Sequence, residues 1–157
     1  ILLYYYQPTS IEELERHKDH FAVIIAHASF LFLLILIREL IKDLENLKGD
    51  LANNYHTIPV FYGENWSKRI STGLTVLTLV PVYILIELYD VGYMDIYFYS
   101  SLIVLLFFLL LLWQSNNKTH YIRLHNILKF LIVAGVFCIV LINPSVLWHG
   151  KNWLLKQ

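Results

Sequence analysis

The chain has 157 residues, 57% of them hydrophobic and 15% charged, which excludes water as the solvent for most of its surface. Its 12 basic and 12 acidic side chains balance, so no basic surplus attracts a phosphate backbone, and nucleic acid is excluded as a partner. The single Cys138, set in an apolar run, rules out an internal disulfide and a cysteine-based zinc site; it reads as a small core side chain.

The first residues, Ile1 to Tyr6, are apolar and aromatic from the outset, with no basic n-region or cleavage site, and the chain is read as truncated. Glu12, Glu13, Glu15, Arg16, Lys18 and Asp19 then mark a solvated amphipathic helix. Four apolar runs follow, Phe21 to Ile37, Gly73 to Leu88, Ile96 to Trp113 and Ile127 to Ile142. Each is near the roughly 17–25 residues that cross a hydrocarbon core. None alternates as a barrel strand does, and backbone amides in lipid must be satisfied within the segment, so helices are expected. The fold class is therefore all-α, a polytopic transmembrane helix bundle with spans at about residues 21–46, 71–89, 96–113 and 127–142.

The runs are punctuated by polar residues. Asp90, Gly92 and Asp95 form a turn, Gln114 to Lys118 a break, and Asn143-Pro144 a stop, because proline pushes its predecessor away from helical angles. Pro81 should kink the second span. On one side of the membrane lie Arg38, Lys42, Lys48, Lys68, Arg69, Lys118, Arg123 and Lys129; on the other lie Arg16, Lys18, Lys151 and Lys156. This asymmetry puts the 38–70 segment in the cytoplasm, and the expected setting is a bacterial inner (cytoplasmic) membrane. Trp66, Trp113, Trp148 and Trp153 suit the aromatic belts. His17, His20 and His27 lie along one helix face but lack the spacing and cysteine company of a zinc site; they are read as packing or interhelical hydrogen-bonding residues.

The first span does not stop where its apolar run stops. Good helix formers continue through Arg38 to Asn46, and Gly49 is the expected terminator. From Phe21 to Asn46 such a helix is about 39 Å long at 1.5 Å per residue, so its lower end emerges at the membrane rim. There Glu39, Asp43, Asn46 and Asp50 follow at spacings of four, three and four, so that the first three share a helix face and Asp50 falls just beyond it near Gly49. An oxygen-rich stripe of this kind, with water, is what Mg²⁺ accepts while it bridges to substrate phosphates. Arg38 and Lys42, also four apart, are placed to neutralise a diphosphate. The competing reading is a solvated helix end with exposed ion pairs.

The string Arg38-Glu39-Leu40-Ile41-Lys42-Asp43-Leu44-Glu45-Asn46-Leu47-Lys48-Gly49-Asp50, followed by Thr57-Ile58-Pro59-Val60 and Gly63, resembles the second aspartate-rich motif of the UbiA prenyltransferase superfamily. The branch it looks most like is the geranylgeranylglyceryl phosphate and chlorophyll synthase type. This resemblance implies a partial UbiA-type domain over 1–157, the last four spans of a nine-helix fold. It also implies Mg²⁺ as cofactor, with Asp43, Asn46 and Asp50 toward the metal and Arg38 and Lys42 toward the diphosphate. Asn46 departs from the family, in which many members carry an aspartate there, and the metal count is open for that reason.

The implied reaction is transfer of a polyprenyl group from its diphosphate to a lipophilic or amphipathic acceptor, with no residue assigned as a covalent catalyst. The family's other acidic motif is absent from this sequence, so the missing amino-terminal helices are an expected partner and the isolated chain is expected to be inactive. The alternative is a non-catalytic membrane scaffold or accessory subunit, motivated by Asn46 and by that missing half. Thr57-Ile58-Pro59 is expected to turn into a short amphipathic helix beneath the cavity, with Lys68 and Arg69 opening the next span.

Overall fold

In the computed structural model, residues 11–88 and 94–138 are described, with side chains over 21–87 and 94–138. The turn residues Asp90 and Gly92, the Asn143-Pro144 stop, Trp148, Trp153, Lys151 and Lys156 lie outside the described residues, as do the side chains of Arg16, His17, Lys18 and His20.

Among the described residues every regular element is helical. Helix α1 covers Ile11–Ala52, α2 Ile58–Tyr62, α3 Glu64–Leu77 and α4 Leu79–Tyr83; after a π-helical turn at Ile84–Leu88 come α5, Met94–Gln114, and α6, Lys118–Cys138. Four stretches are long and apolar enough to cross a membrane: Phe21–Ala52, Glu64–Glu87, Met94–Gln114 and Lys118–Cys138. The amphipathic segment before the first span is continuous with it, and α6 begins at Lys118, ahead of the apolar run. Lys118, Arg123 and Lys129 therefore sit on a helix rather than in a loop.

At 42 residues, α1 is about 63 Å long at 1.5 Å per residue, roughly twice the hydrocarbon thickness of about 30 Å. It continues through Gly49, contrary to the sequence expectation of a stop there. The left-handed exit is at Asn54, with φ of 55°. Tyr55 N donates to the Asp50 carbonyl at 2.9 Å and Asn54 N to that of Leu51 at 3.4 Å, the paired bonds of a Schellman motif with asparagine in the place glycine usually takes. Asparagine tolerates this conformation, so the helix carries on past the glycine until its exit bonds close. Asp50 is consequently a residue of the helix.

The second span is interrupted as Pro81 requires. Proline has no amide hydrogen for the Leu77 carbonyl four residues earlier, and α3 ends at Leu77. Side-chain hydroxyls bond the backbone of this span instead: Thr72 to the Lys68 carbonyl at 2.8 Å, Thr75 to Ser71 at 2.8 Å and Thr78 to Thr75 at 2.6 Å.

Phe30, Leu34, Ile37 and Ile41, spaced four, three and four along α1, are fully buried against Phe98, Phe108 and Leu112 of α5 and Leu124 and Leu128 of α6. Helix α1 packs chiefly on α6 and α3, and α5 packs on α6. At the centre His27 of α1 is buried, stands edge-on to Phe98 at 5.9 Å, and its Nε2 donates to the Gly135 carbonyl at 3.1 Å. The interhelical role expected for His27 is what the fold uses. Phe32, Ile103, Leu106, Phe107, Phe130 and Phe137 point outward, apolar surface of the kind a bilayer covers.

Candidate functional site

The polar rim gathers the carboxyl end of α1, the short α2, the start of α3, the end of α5 and the start of α6. Glu39, Asp43, Asn46 and Asp50 all lie on helical backbone within α1. At 100° per residue Asp43 is about 200° round the helix from the buried Ile41, so the stripe faces away from the core this chain builds. Asp43, Asn46 and Asp50 are each half-buried. Asp43 feels the negative charges of Asp50 and Glu39 and the positive charge of Lys42. Along the axis Asp43 and Asp50 are separated by two turns, about 10 Å, too far to grip one ion without intervening water or substrate oxygens.

Arg38 and Lys42 both lie beside Glu39: Arg38 Nη1 donates to Glu39 Oε1 at 2.5 Å and Lys42 Nζ to Oε2 at 3.2 Å. Lys42 and Glu39 are nearly half exposed, so this is a solvated cluster of modest strength. Of the two cations, Lys42 is the one that also acts on Asp43. Asn46 also lines a cleft of about 310 Å³ with Glu45, Lys48, Glu64, Asn117 and Tyr121; neither Asp43 nor Asp50 borders that cleft.

Asp50 is met from the side by the segment after α1. Thr57 Oγ1 donates to Asp50 Oδ2 at 3.4 Å. Thr57 also begins the short helix α2, whose proline, Pro59, is buried, while Phe61 and Tyr62 are exposed. The short helix expected after Thr57 is present. Gly63 closes α2 with φ of 83°, in the left-handed region, and its amide donates to the Pro59 carbonyl at 3.0 Å; glycine is required at this turn.

A second polar cluster was not legible in the sequence. Lys68, expected to open the next span, is buried, with its Nζ 2.9 Å from Glu64 Oε1 and donating to the Ser115 carbonyl at 2.5 Å. Tyr121 of α6 donates to Glu64 Oε1 at 2.5 Å and lies 3.2 Å from the same Ser115 carbonyl. The Glu64–Lys68 spacing of four was the available signal; Tyr121 and Ser115 are too distant in sequence to have been paired with it. A looser contact joins His125 Nδ1 and Glu45 Oε2 at 3.6 Å.

Asp43, Asp50, the Asn46 amide and the Thr57 hydroxyl are all oxygen donors, the chemistry a hard divalent cation takes, but they are spread along the rim rather than gathered at one point. Among the described residues no three His, Cys, Asp or Glu side chains converge on a single point. The chemistry of these oxygen donors is compatible with Mg²⁺, which would need water or substrate oxygens to complete its coordination.

A model described as the UbiA prenyltransferase family matches residues 4–131. Among curated proteins, the chain is similar to the digeranylgeranylglyceryl phosphate synthase of Methanosphaera stadtmanae, 32% identical over 69 residues, covering 43% of this chain and 25% of that protein. It is similar also to the enzyme of that name from Methanopyrus kandleri, 44% identical over 64 residues, covering 36% of this chain and 24% of the relative. The matched stretches span about a quarter of the length of these relatives. No solved structure matches the chain.

Proposed function

The chain belongs to the UbiA prenyltransferase family, an integral multi-pass membrane family, and on that premise we propose that it carries the second acidic half of a site that moves a polyprenyl group from its diphosphate to a lipophilic or amphipathic acceptor. The observation that carries this reading is the continuation of α1 through Asp50, which sets Asp43 and Asp50 on one face of one helix, with Lys42 beside Asp43 and Arg38 paired to Glu39. The names of the relatives support a glyceryl phosphate bearing a prenyl chain as the acceptor class.

In this reading Asp43 and Asp50 hold Mg²⁺ directly or through water, Asn46 offers a neutral oxygen, and Arg38 and Lys42 turn from Glu39 toward the donor's diphosphate. Bound Mg²⁺ supplies neutralisation of the negative charge that grows on the departing diphosphate as the allylic C–O bond breaks. Arg38 and Lys42 add to that neutralisation at the oxygens facing them. Apolar helix faces above the rim shelter the isoprenoid chain from water. The acidic stripe faces away from this chain's own core, so we place the opposing acidic segment on amino-terminal helices of the same protein, outside this sequence. The 38–70 segment is assigned to the cytoplasmic side of the cytoplasmic membrane, following the Lys and Arg asymmetry.

The test is prenyl transfer by the full-length protein, with radiolabelled prenyl diphosphate and candidate acceptors. Asp43→Ala and Asp50→Ala should each lower product formation by about 10²-fold or more, the scale for removing a group that stabilises transition-state charge. Wild-type rates in both variants would remove the stripe from the mechanism. A second reading, a non-catalytic membrane scaffold, is favoured by the neutral Asn46 and by the wide spacing of the two carboxylates; absence of transfer by a folded full-length wild type across donors and acceptors would select it.

A further inference from the structure

Lys68 is an unusual investment for a rim cation. Its side chain is only 4% exposed, and it lies against Glu64, the Ser115 carbonyl and the Tyr121 ring, the last at 5.8 Å. A buried ammonium is stable only when paired and hydrogen-bonded, so these partners fix its position closely. They belong to three separate parts of the rim: the start of α3, the residue after α5 and the first turns of α6.

Glu64 is the first residue of α3 and directly follows Gly63, the left-handed turn that closes α2. Ser67 reinforces the turn, its amide and hydroxyl both donating to the Gly63 carbonyl, at 3.2 and 3.1 Å. A five-residue helix separates that turn from Thr57, whose hydroxyl reaches Asp50. A segment this short has little internal freedom, so fixing Glu64 constrains Thr57.

We propose that Lys68, Glu64 and Tyr121 form a positioning cluster that locks α2 in place and thereby holds Thr57 against Asp50, setting the affinity of the rim for a divalent cation with diphosphate. None of the three need touch substrate; they act through Gly63, α2 and Thr57. The inference rests on the assignment of Asp50 to cation binding made above, and the experiment separates the two claims.

The probe is Mn²⁺, which shares the oxygen preference of Mg²⁺, titrated by electron paramagnetic resonance into detergent-solubilised full-length protein in the presence of inorganic diphosphate. Variants with wild-type helicity by circular dichroism and wild-type elution by size exclusion are compared. Asp50→Ala should abolish the bound signal; if Asp43→Ala and Asp50→Ala both bind as wild type, the cation assignment fails and the cluster proposal fails with it. If they lose binding, Lys68→Met and Tyr121→Phe decide the cluster. Each is expected to weaken Mn²⁺ binding by roughly five- to tenfold, the scale of one ordinary hydrogen bond. Tyr121→Phe keeps the ring and carries the test alone should Lys68→Met not fold.

A double-mutant cycle with Thr57→Val supplies the readout that a merely structural role would leave unmoved. Loss of Thr57 should weaken binding in wild type and have little further effect in the Tyr121→Phe background. Wild-type binding in folded Tyr121→Phe, or full additivity with Thr57→Val, overturns the proposal.

Discussion

His27 Nε2 donates a hydrogen bond to the carbonyl oxygen of Gly135, 3.1 Å away and 108 residues along the chain, and the contact is possible because position 135 has no side chain. A Cβ built there would stand 2.5 Å from the Tyr97 hydroxyl and 2.6 Å from Leu31 Cδ2. Tyr97 is not free to retreat, since its hydroxyl donates to the Leu131 carbonyl at 2.9 Å. The glycine therefore sets the approach of α1, α5 and α6.

Gly135→Ala is accordingly expected to destabilise the bundle by about 1–3 kcal/mol, the usual scale for overpacking a close-packed core. Thermal unfolding in detergent, followed by size-exclusion fluorescence, measures it. Gly73→Ala is the matched control: nothing lies within 4 Å of its Cβ position, and in mid-helix it should be neutral or stabilising by up to about 1 kcal/mol. Equal effects at the two positions would refute the packing argument.

At the end of α1, Asn54 carries φ of 55° in the Schellman exit. Asn54→Gly should raise stability by up to about 1 kcal/mol and Asn54→Val should lower it by a similar or larger amount, because a β-branched side chain is strained in this conformation. The same melting assay reports both, and a stabilising valine would show that the helix ends elsewhere.

The exposed Lys42–Glu39 pair should matter to substrate and hardly to folding. Lys42→Met is expected to shift the unfolding free energy by less than about 1 kcal/mol, as exposed ion pairs do. In the transfer assay it should raise the KM for prenyl diphosphate by several-fold, with a smaller change in kcat. An unchanged KM would release Lys42 from the diphosphate role.

Thr57 offers a narrower test of the acidic face. Thr57→Ser keeps the hydroxyl that reaches Asp50 and should need close to the wild-type Mg²⁺ concentration for half-maximal transfer. Thr57→Val keeps the shape and removes the donor; its Mg²⁺ requirement should rise by roughly ten- to a hundredfold, the worth of one hydrogen bond to a charged group. Identical Mg²⁺ titrations for valine and serine would mean that the contact does not tune the cation.

Much of this molecule could be read before any coordinates. Long apolar runs without alternation lead to transmembrane helices because a bilayer leaves backbone amides no other partner, and the four spans follow. The spacing of Glu39, Asp43, Asn46 and Asp50 puts them on one face of any helix that contains them, since helical periodicity is a local property. The reach of that helix was harder to see: Gly49 looks like a terminator, but termination depends on which downstream amides return to close the last turn, and these are Asn54 and Tyr55.

Only the tertiary structure decided which charges are buried and which are not. Lys68 and Lys42 are both rim lysines four or three residues from a glutamate, yet one is enclosed and the other is solvated. The difference is made by the Ser115 carbonyl and Tyr121, brought to Lys68 by the packing of α5 and α6. Local periodicity assigns a side chain to a face of its own helix; what covers that face depends on contacts between residues far apart in the chain, and no local pattern encodes them.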